Sequence, residues 1–316
     1  MSSFRDALER WQAPIYFVAV ALGACAALLL PGTQVLERAI NPALACMLFV
    51  TFLQVPLASL RGVWRQGRFL AALLITNFIV VPLLVWGLSF ALPDDSLLRF
   101  GVLLVLLAPC IDYVVTFAHM GKADARLLLA CTPLLLLGQM LLLPVYLQAM
   151  LGTQAAAWVH AGPLVGAFAW LIAAPLLAAW VMQQWAARSV AGARLGAGLG
   201  VLPVPATAVV LFVVMTAVIP QLDVARHAAW RVLPVYVAFA VLAPLLAWQV
   251  AKALKLEPTA ARAVAFSGST RNALVVLPLA LAVPGGIPVL PAVIVTQTLV
   301  ELISQLVYIQ RIARWR

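Results

Sequence analysis

The sequence predicts an all-α polytopic membrane protein: ten transmembrane helices in two inverted five-helix repeats. Three observations carry that expectation. Hydrophobic residues make up 65% of the 316 positions and charged residues 9%, where soluble domains carry about 25% charged residues. The apolar runs are about 20 residues long, enough to cross a bilayer core of roughly 30 Å. Finally, fragments of the first half recur in the second at a nearly constant offset.

The spans fall in order at 13–30, 40–57, 69–92, 97–120, 127–151, 161–185, 198–219, 229–254, 258–283 and 288–310. The polar segments between them are too short for a soluble domain, so 1–316 reads as a single membrane domain. Met1 to Gln12 is polar, and no small-residue cleavage site closes the first span. That span is expected to remain as a helix. The four cysteines, Cys25, Cys46, Cys110 and Cys131, lie inside apolar spans without metal-ligand spacing. Neither a disulfide framework nor a bound metal or cofactor is expected.

The net charge of +10 sits in short loops, where it sets topology rather than binding nucleic acid. Alternate loops hold 15 and 4 of the 20 lysines and arginines, and Arg271 is the one left over. The rich side is cytoplasmic by the positive-inside rule, which places both termini there and requires an even number of spans. A bacterial inner membrane is the expected location. The expected partners are a small-molecule solute and membrane lipid, with no nucleic acid; a homodimer is left open.

The repeat shows in matched fragments. "PLLVW" at Pro82–Trp86 returns as "PLLAW" at Pro244–Trp248, an offset of 162, and "LFV" at Leu48–Val50 returns at Leu211–Val213, an offset of 163. Repeat 1 then covers 13–151 and repeat 2 covers 161–310. Five spans per repeat is an odd number, so the second half lies inverted, an architecture of transporters whose substrate sites lie near the midplane.

The same offset carries Arg271 onto Pro109 and Gln139 onto Glu301. Pro109 interrupts the fourth span, because proline removes a helical hydrogen bond and clashes with the preceding turn. In the ninth span Ser267, Gly268, Ser269 and Thr270 favour unwinding, and the hydroxyls suit the start of a new helix around Arg271. Pro109 and Gly268 therefore mark two expected helix breaks. Broken helices at membrane depth are tolerated where they line a cavity or are buried in protein.

Three charges lie deep inside the spans, away from their ends: Asp112, Arg271 and Glu301. A charge at the bilayer centre costs at least about 2.5–3.5 kcal/mol, so Arg271 must be paired or face water. Asp112 is the acid beside the matching break. The pair either holds two crossing helices together or lines the substrate cavity. The candidate substrate-binding residues are Cys110, Asp112, Ser269, Thr270, Arg271 and Asn272. Asp112 and Glu301 are the candidate proton carriers. Glu301 shares a helical stripe with Gln297 and Gln305. His119 reads as a loop-edge residue.

The segments "PCIDYVVTFAHMGKAD" and "FSGSTRNALVVLPLALA" resemble the two crossover helices of the bile acid:sodium symporter superfamily, which includes the arsenite permeases. The resemblance implies a ten-helix fold, with spans one, two, six and seven forming a panel and spans three to five and eight to ten forming a core. Cys110 matches the cysteine of arsenite permeases, Asn272 an asparagine of the second crossover, and Lys122 and Asp124 the turn after the first. Sodium-binding members carry a Ser-Asn pair where Val114 and Val115 stand, and a glutamate and glutamine where Ser267 and Arg271 stand. The acidic residue of arsenite permeases matches Leu274. The resemblance thus implies a transporter without sodium coupling that keeps the arsenite cysteine.

The function expected is secondary transport with alternating access at a midplane site, proton-coupled or uniport. Arsenite-type efflux and movement of a small organic anion at Arg271 are the competing substrates. An enzyme is not expected, because no catalytic constellation such as His-Glu-x-x-His occurs and only three histidines are present.

Overall fold

The structure is a computed structural model that describes residues 7, 8, 10–54, 66–111, 113–152, 170, 173–281, 283 and 285–316, and the side chains of these apart from 221–224 and 278. In chain order its helices are α1 (Gln12–Leu29), α2 (Glu37–Gln54), α3 (Gly67–Ile75), α4 (Val81–Ser89), α5 (Ser96–Leu106), α6 (Val114–Met120) and α7 (Ala125–Leu151). There follow α8 (Ala174–Arg188), α9 (Val190–Leu199), α10 (Pro203–Ala253), α11 (Pro258–Ser269), α12 (Ala273–Leu281) and α13 (Val289–Arg311). The protein is all-α and polytopic. Seven helical stretches among the described residues are long and apolar enough to cross a membrane: Gln12–Leu29, Thr33–Gln54, Gly67–Ser89, Ala125–Leu151, Pro203–Pro220, Ala225–Ala253 and Val289–Arg314. The expected fourth and ninth spans are each two shorter helices, α5 with α6 and α11 with α12. The expected sixth span lies partly outside the described residues.

The chain forms two compact units. One contains Met1–Val55 and Ala161–Ala225, the other Pro56–His160 and Arg226–Arg316. These are the spans that the resemblance assigns to the panel and to the core. Within the first unit, Gln183 on α8 donates to the carbonyls of Phe52 and Leu53 at 3.1 and 3.3 Å, satisfying the end of α2. Gly23 on α1 lies so near α10 that a Cβ would stand 2.8 Å from the Phe212 carbonyl oxygen.

The second unit is built around the broken spans. α5 is entered at Asp95, whose carboxylate accepts from Leu97 and Leu98 at 3.1 Å, and α7 at Asp124, which accepts from Leu127 at 3.1 Å. Lys122 adopts φ +58 in the tight turn between α6 and α7. Arg262 of α11 closes over this turn, donating to the Lys122 carbonyl at 2.9 Å and twice to the Trp315 carbonyl at 3.1 and 3.0 Å.

Several local expectations are corrected. The ninth span does not unwind at Gly268: Ser267, Gly268 and Ser269 close α11, and only Thr270 to Asn272 leave the helix. Gly268 serves close packing, since a Cβ there would stand 2.7 Å from Thr76 Cγ2 and 2.8 Å from Ala247 Cβ. The hydroxyls of Ser269 and Thr270 do not start the next helix. They donate back to Ala265 and Phe266, extending the satisfaction of α11 at its C-terminus. The loop expected between spans seven and eight is helical within α10, and the polar segment after span six contains α9. The third span holds an unexpected π-helical turn over Thr76–Val80, an insertion that re-aims side chains and often sits at functional sites.

Candidate functional site

The two broken spans cross at Pro109 and Arg271, which form an antiparallel bridge. The Cys110 N–H donates to the Thr270 carbonyl at 3.2 Å, and the Asn272 N–H donates to the Ala108 carbonyl at 2.7 Å. Groups that the breaks free from helical bonding thus satisfy one another, as lipid depth demands. The facing residues of such a pair exchange no main-chain bonds when their neighbours do. Proline's missing N–H therefore costs the crossing nothing. Pro109 also biases Ala108 out of helical conformation, which ends α5 where the crossing needs extended chain.

The main-chain groups of Arg271 point sideways to two side chains. Its N–H donates to Glu301 Oε2 at 2.7 Å, and its carbonyl oxygen lies 3.2 Å from the Tyr113 hydroxyl. That hydroxyl is also 2.5 Å from Glu301 Oε1, and Gln297 Nε2 donates to Glu301 Oε2 at 2.7 Å. The carboxylate of α13 thereby fastens the crossing from one side.

The Arg271 side chain is fully buried. Its Nη2 donates to Asn77 Oδ1 at 3.0 Å and to the Ser267 carbonyl at 2.5 Å, and Nη1 lies 3.5 Å from the Leu106 carbonyl. The guanidinium stands 5.6 Å from the centroid of the Phe239 ring. Among the described residues no carboxylate oxygen pairs with it. Asn77, placed by the π-helical turn, also donates to Ser267 Oγ and the Leu73 carbonyl, each at 3.0 Å. The charge therefore rests in a cage of amide, carbonyl and aromatic groups.

The other expected residues fall around this crossing. Cys110 is buried in it, and Thr270 Oγ1 accepts from Gln305 Nε2 at 2.7 Å. Asn272 precedes α12, where an asparagine ordinarily caps a helix. Yet both polar atoms of its buried side chain are without a hydrogen-bond partner. Asp112 lies outside the described residues. Gln139 is buried on α7 with Oε1 unpartnered. Among the described residues no three His, Cys, Asp or Glu side chains gather as a metal site.

Sequence reading missed Asn77, Tyr113 and Phe239. Asn77 had a usable signal, a lone amide within an otherwise apolar span. The two aromatics had none, because their partners come from other spans.

The family whose model matches the chain is described as the Sodium Bile acid symporter family, over residues 41–224. That match takes in α5, α6 and Pro109 but ends before Arg271 and Glu301. No curated protein sequence matches the chain.

Proposed function

The chain belongs to the sodium bile acid symporter family, and on that premise we propose that it is a secondary transporter that works without sodium and binds its solute at the helix crossing. A multi-pass membrane transporter implies a small solute and a lipid environment. Within that class, the observation that carries the proposal is the bridge between Pro109 and Arg271 and what it does with their neighbours. Side chains alternate along extended backbone. The Arg271 side chain takes one face and occupies the oxygens of Asn77, Ser267 and Leu106. Cys110 and Asn272 take the other face, one a thiol and the other an unpartnered amide.

A built-in guanidinium supplies the positive charge that a sodium ion would otherwise bring. Cys110 supplies a soft sulfur suited to arsenic(III), which favours arsenite-type efflux. Glu301 is the proposed proton carrier, since it touches the main chain of the crossing directly. Ten spans in inverted repeats, alternating access, a bacterial inner membrane and cytoplasmic termini complete the reading. A second reading, transport of a small organic anion at Arg271, is favoured by one observation, the unpartnered Nε of that guanidinium.

The test is growth of an arsenite-sensitive bacterial host. The parent protein is expected to protect, Cys110→Ser to lose protection at equal expression, and serine variants of Cys25, Cys46 and Cys131 to keep it. Absence of protection by the parent, or equal protection by Cys110→Ser, overturns the arsenite reading and leaves the anion reading in place.

A further inference from the structure

Beside Glu301 lies a small cavity between α10, α11 and α13, with about 10 Å³ of room for the centre of a water-sized sphere. That is enough for one water when two or more polar partners are present. Its polar lining is Tyr236, Ser269, Gln297, Glu301, Ser304 and Tyr308. Three of these hydroxyls are already committed. Ser269 donates to the Ala265 carbonyl, Ser304 to that of Val300 and Tyr308 to that of Ala240. Two buried groups are not: the Tyr236 hydroxyl, on a residue 1% exposed, and Gln297 Oε1, on a residue 4% exposed.

We propose that this cavity is a single-water site through which Glu301 exchanges its proton, an inference that rests on the reading of Glu301 as the proton carrier. The unspent groups are one donor and one acceptor. A bare cation cannot accept the Tyr236 hydrogen, and an apolar group satisfies neither. Water accepts from Tyr236 and donates to Gln297 Oε1, with its second hydrogen free for a Glu301 oxygen. An arriving proton forms a third O–H bond on that water. One O–H bond then breaks as another forms on Glu301, and neutral water remains. Tyr236 is a positioning residue that holds the water.

The crossing accommodates both protonation states of Glu301. With the carboxylate charged, Tyr113 donates to Oε1. With Oε1 protonated, the acid donates to the Tyr113 oxygen, and the Tyr113 hydrogen turns to the Arg271 carbonyl oxygen 3.2 Å away. No polar group is orphaned by the change. Among the described residues the titratable groups facing Glu301 are Arg271 at the crossing, Tyr113 at the start of α6, Tyr236 on α10 and Tyr308 on its own helix; Cys110 lies across the bridge.

The test is infrared difference spectroscopy of the full chain in lipid nanodiscs between acidic and alkaline buffer. A carboxylic-acid C=O band that disappears in Glu301→Gln is assigned to Glu301, and its isotope shift is followed after transfer to deuterated buffer. Tyr236→Phe is expected to keep the band but slow its exchange by about tenfold or more, since the bridging water is lost. Ser304→Val, which fills the cavity, is expected to do the same. A band present in wild type, absent in Glu301→Gln and exchanging at the wild-type rate in Tyr236→Phe overturns the water site and leaves the proton-carrier reading intact. A difference spectrum that is the same in wild type and Glu301→Gln overturns both.

Discussion

Pro109 and Arg271, 162 positions apart in the chain, face each other across the antiparallel bridge at which the two broken spans cross. They are also the positions that the internal offset equates. If the two halves are the inverted repeats proposed above, residues related by their two-fold axis meet where that axis passes between them. A residue without an N–H and a residue whose N–H is taken by Glu301 are compatible there because neither needs the other's main chain. The asymmetry lies in the side chains: the first half places a ring at this point, and the second half a charge.

Arg271 and Asn77 should be energetically coupled. Asn77→Leu removes the amide that accepts from Nη2 at 3.0 Å, a bond to a charged donor worth about 1.5–3 kcal/mol. Arg271→Met is expected to destabilise as well, and the double variant to cost less than the sum of the two. Denaturant melts of the four proteins in detergent check this, and strict additivity would show that the bond carries no stability.

The cage around the guanidinium should accept a free cation once the side chain is gone. Wild-type melting is expected to be the same in sodium and choline chloride at equal ionic strength. In Arg271→Ala the oxygens of Asn77, Ser267 and Leu106 are released. The variant is expected to gain stability with added sodium or potassium, by about 2.7 kcal/mol at one hundred times its dissociation constant. A variant as indifferent to these cations as wild type rules the cage out as a cation site.

Gly268→Ala should destabilise by about 1–3 kcal/mol, the usual range for overpacking. The added methyl meets Thr76 Cγ2 and Ala247 Cβ at 2.7 and 2.8 Å. Combining it with Thr76→Ser and Ala247→Gly is expected to restore most of the loss. Thermal melts that show no rescue would point to a conformational role for the glycine instead.

The Arg262 fork gives a fourth expectation. Lysine cannot reproduce a planar pair of bonds to one carbonyl together with a third to another. Arg262→Lys is expected to raise amide hydrogen exchange in the turn around Lys122 and at Trp315, while the crossing near Arg271 stays protected. Unchanged exchange at both ends of the fork would show that it carries no local stability.

Much of this protein was legible without coordinates. Apolar length fixed the class, because lipid admits only internally satisfied backbone. Pro109 announced one break, since its ring and missing N–H act locally wherever the residue sits. Arg271 and Glu301 stood out because a charge at membrane depth demands a partner. What the sequence could not assign was the partner itself. Asp112 was the acid beside the matching break at Pro109, and it lies outside the described residues. The structure brings Glu301 to the Arg271 main chain, and Asn77 with two carbonyls to its side chain. Glu301 and Asn77 are separated from Arg271 by 30 and 194 positions, and only tertiary packing brings them into contact. The same packing made Gly268 a contact surface rather than a hinge. Local chemistry decides where a helix stops, whereas the distances between helices decide which groups a buried charge meets.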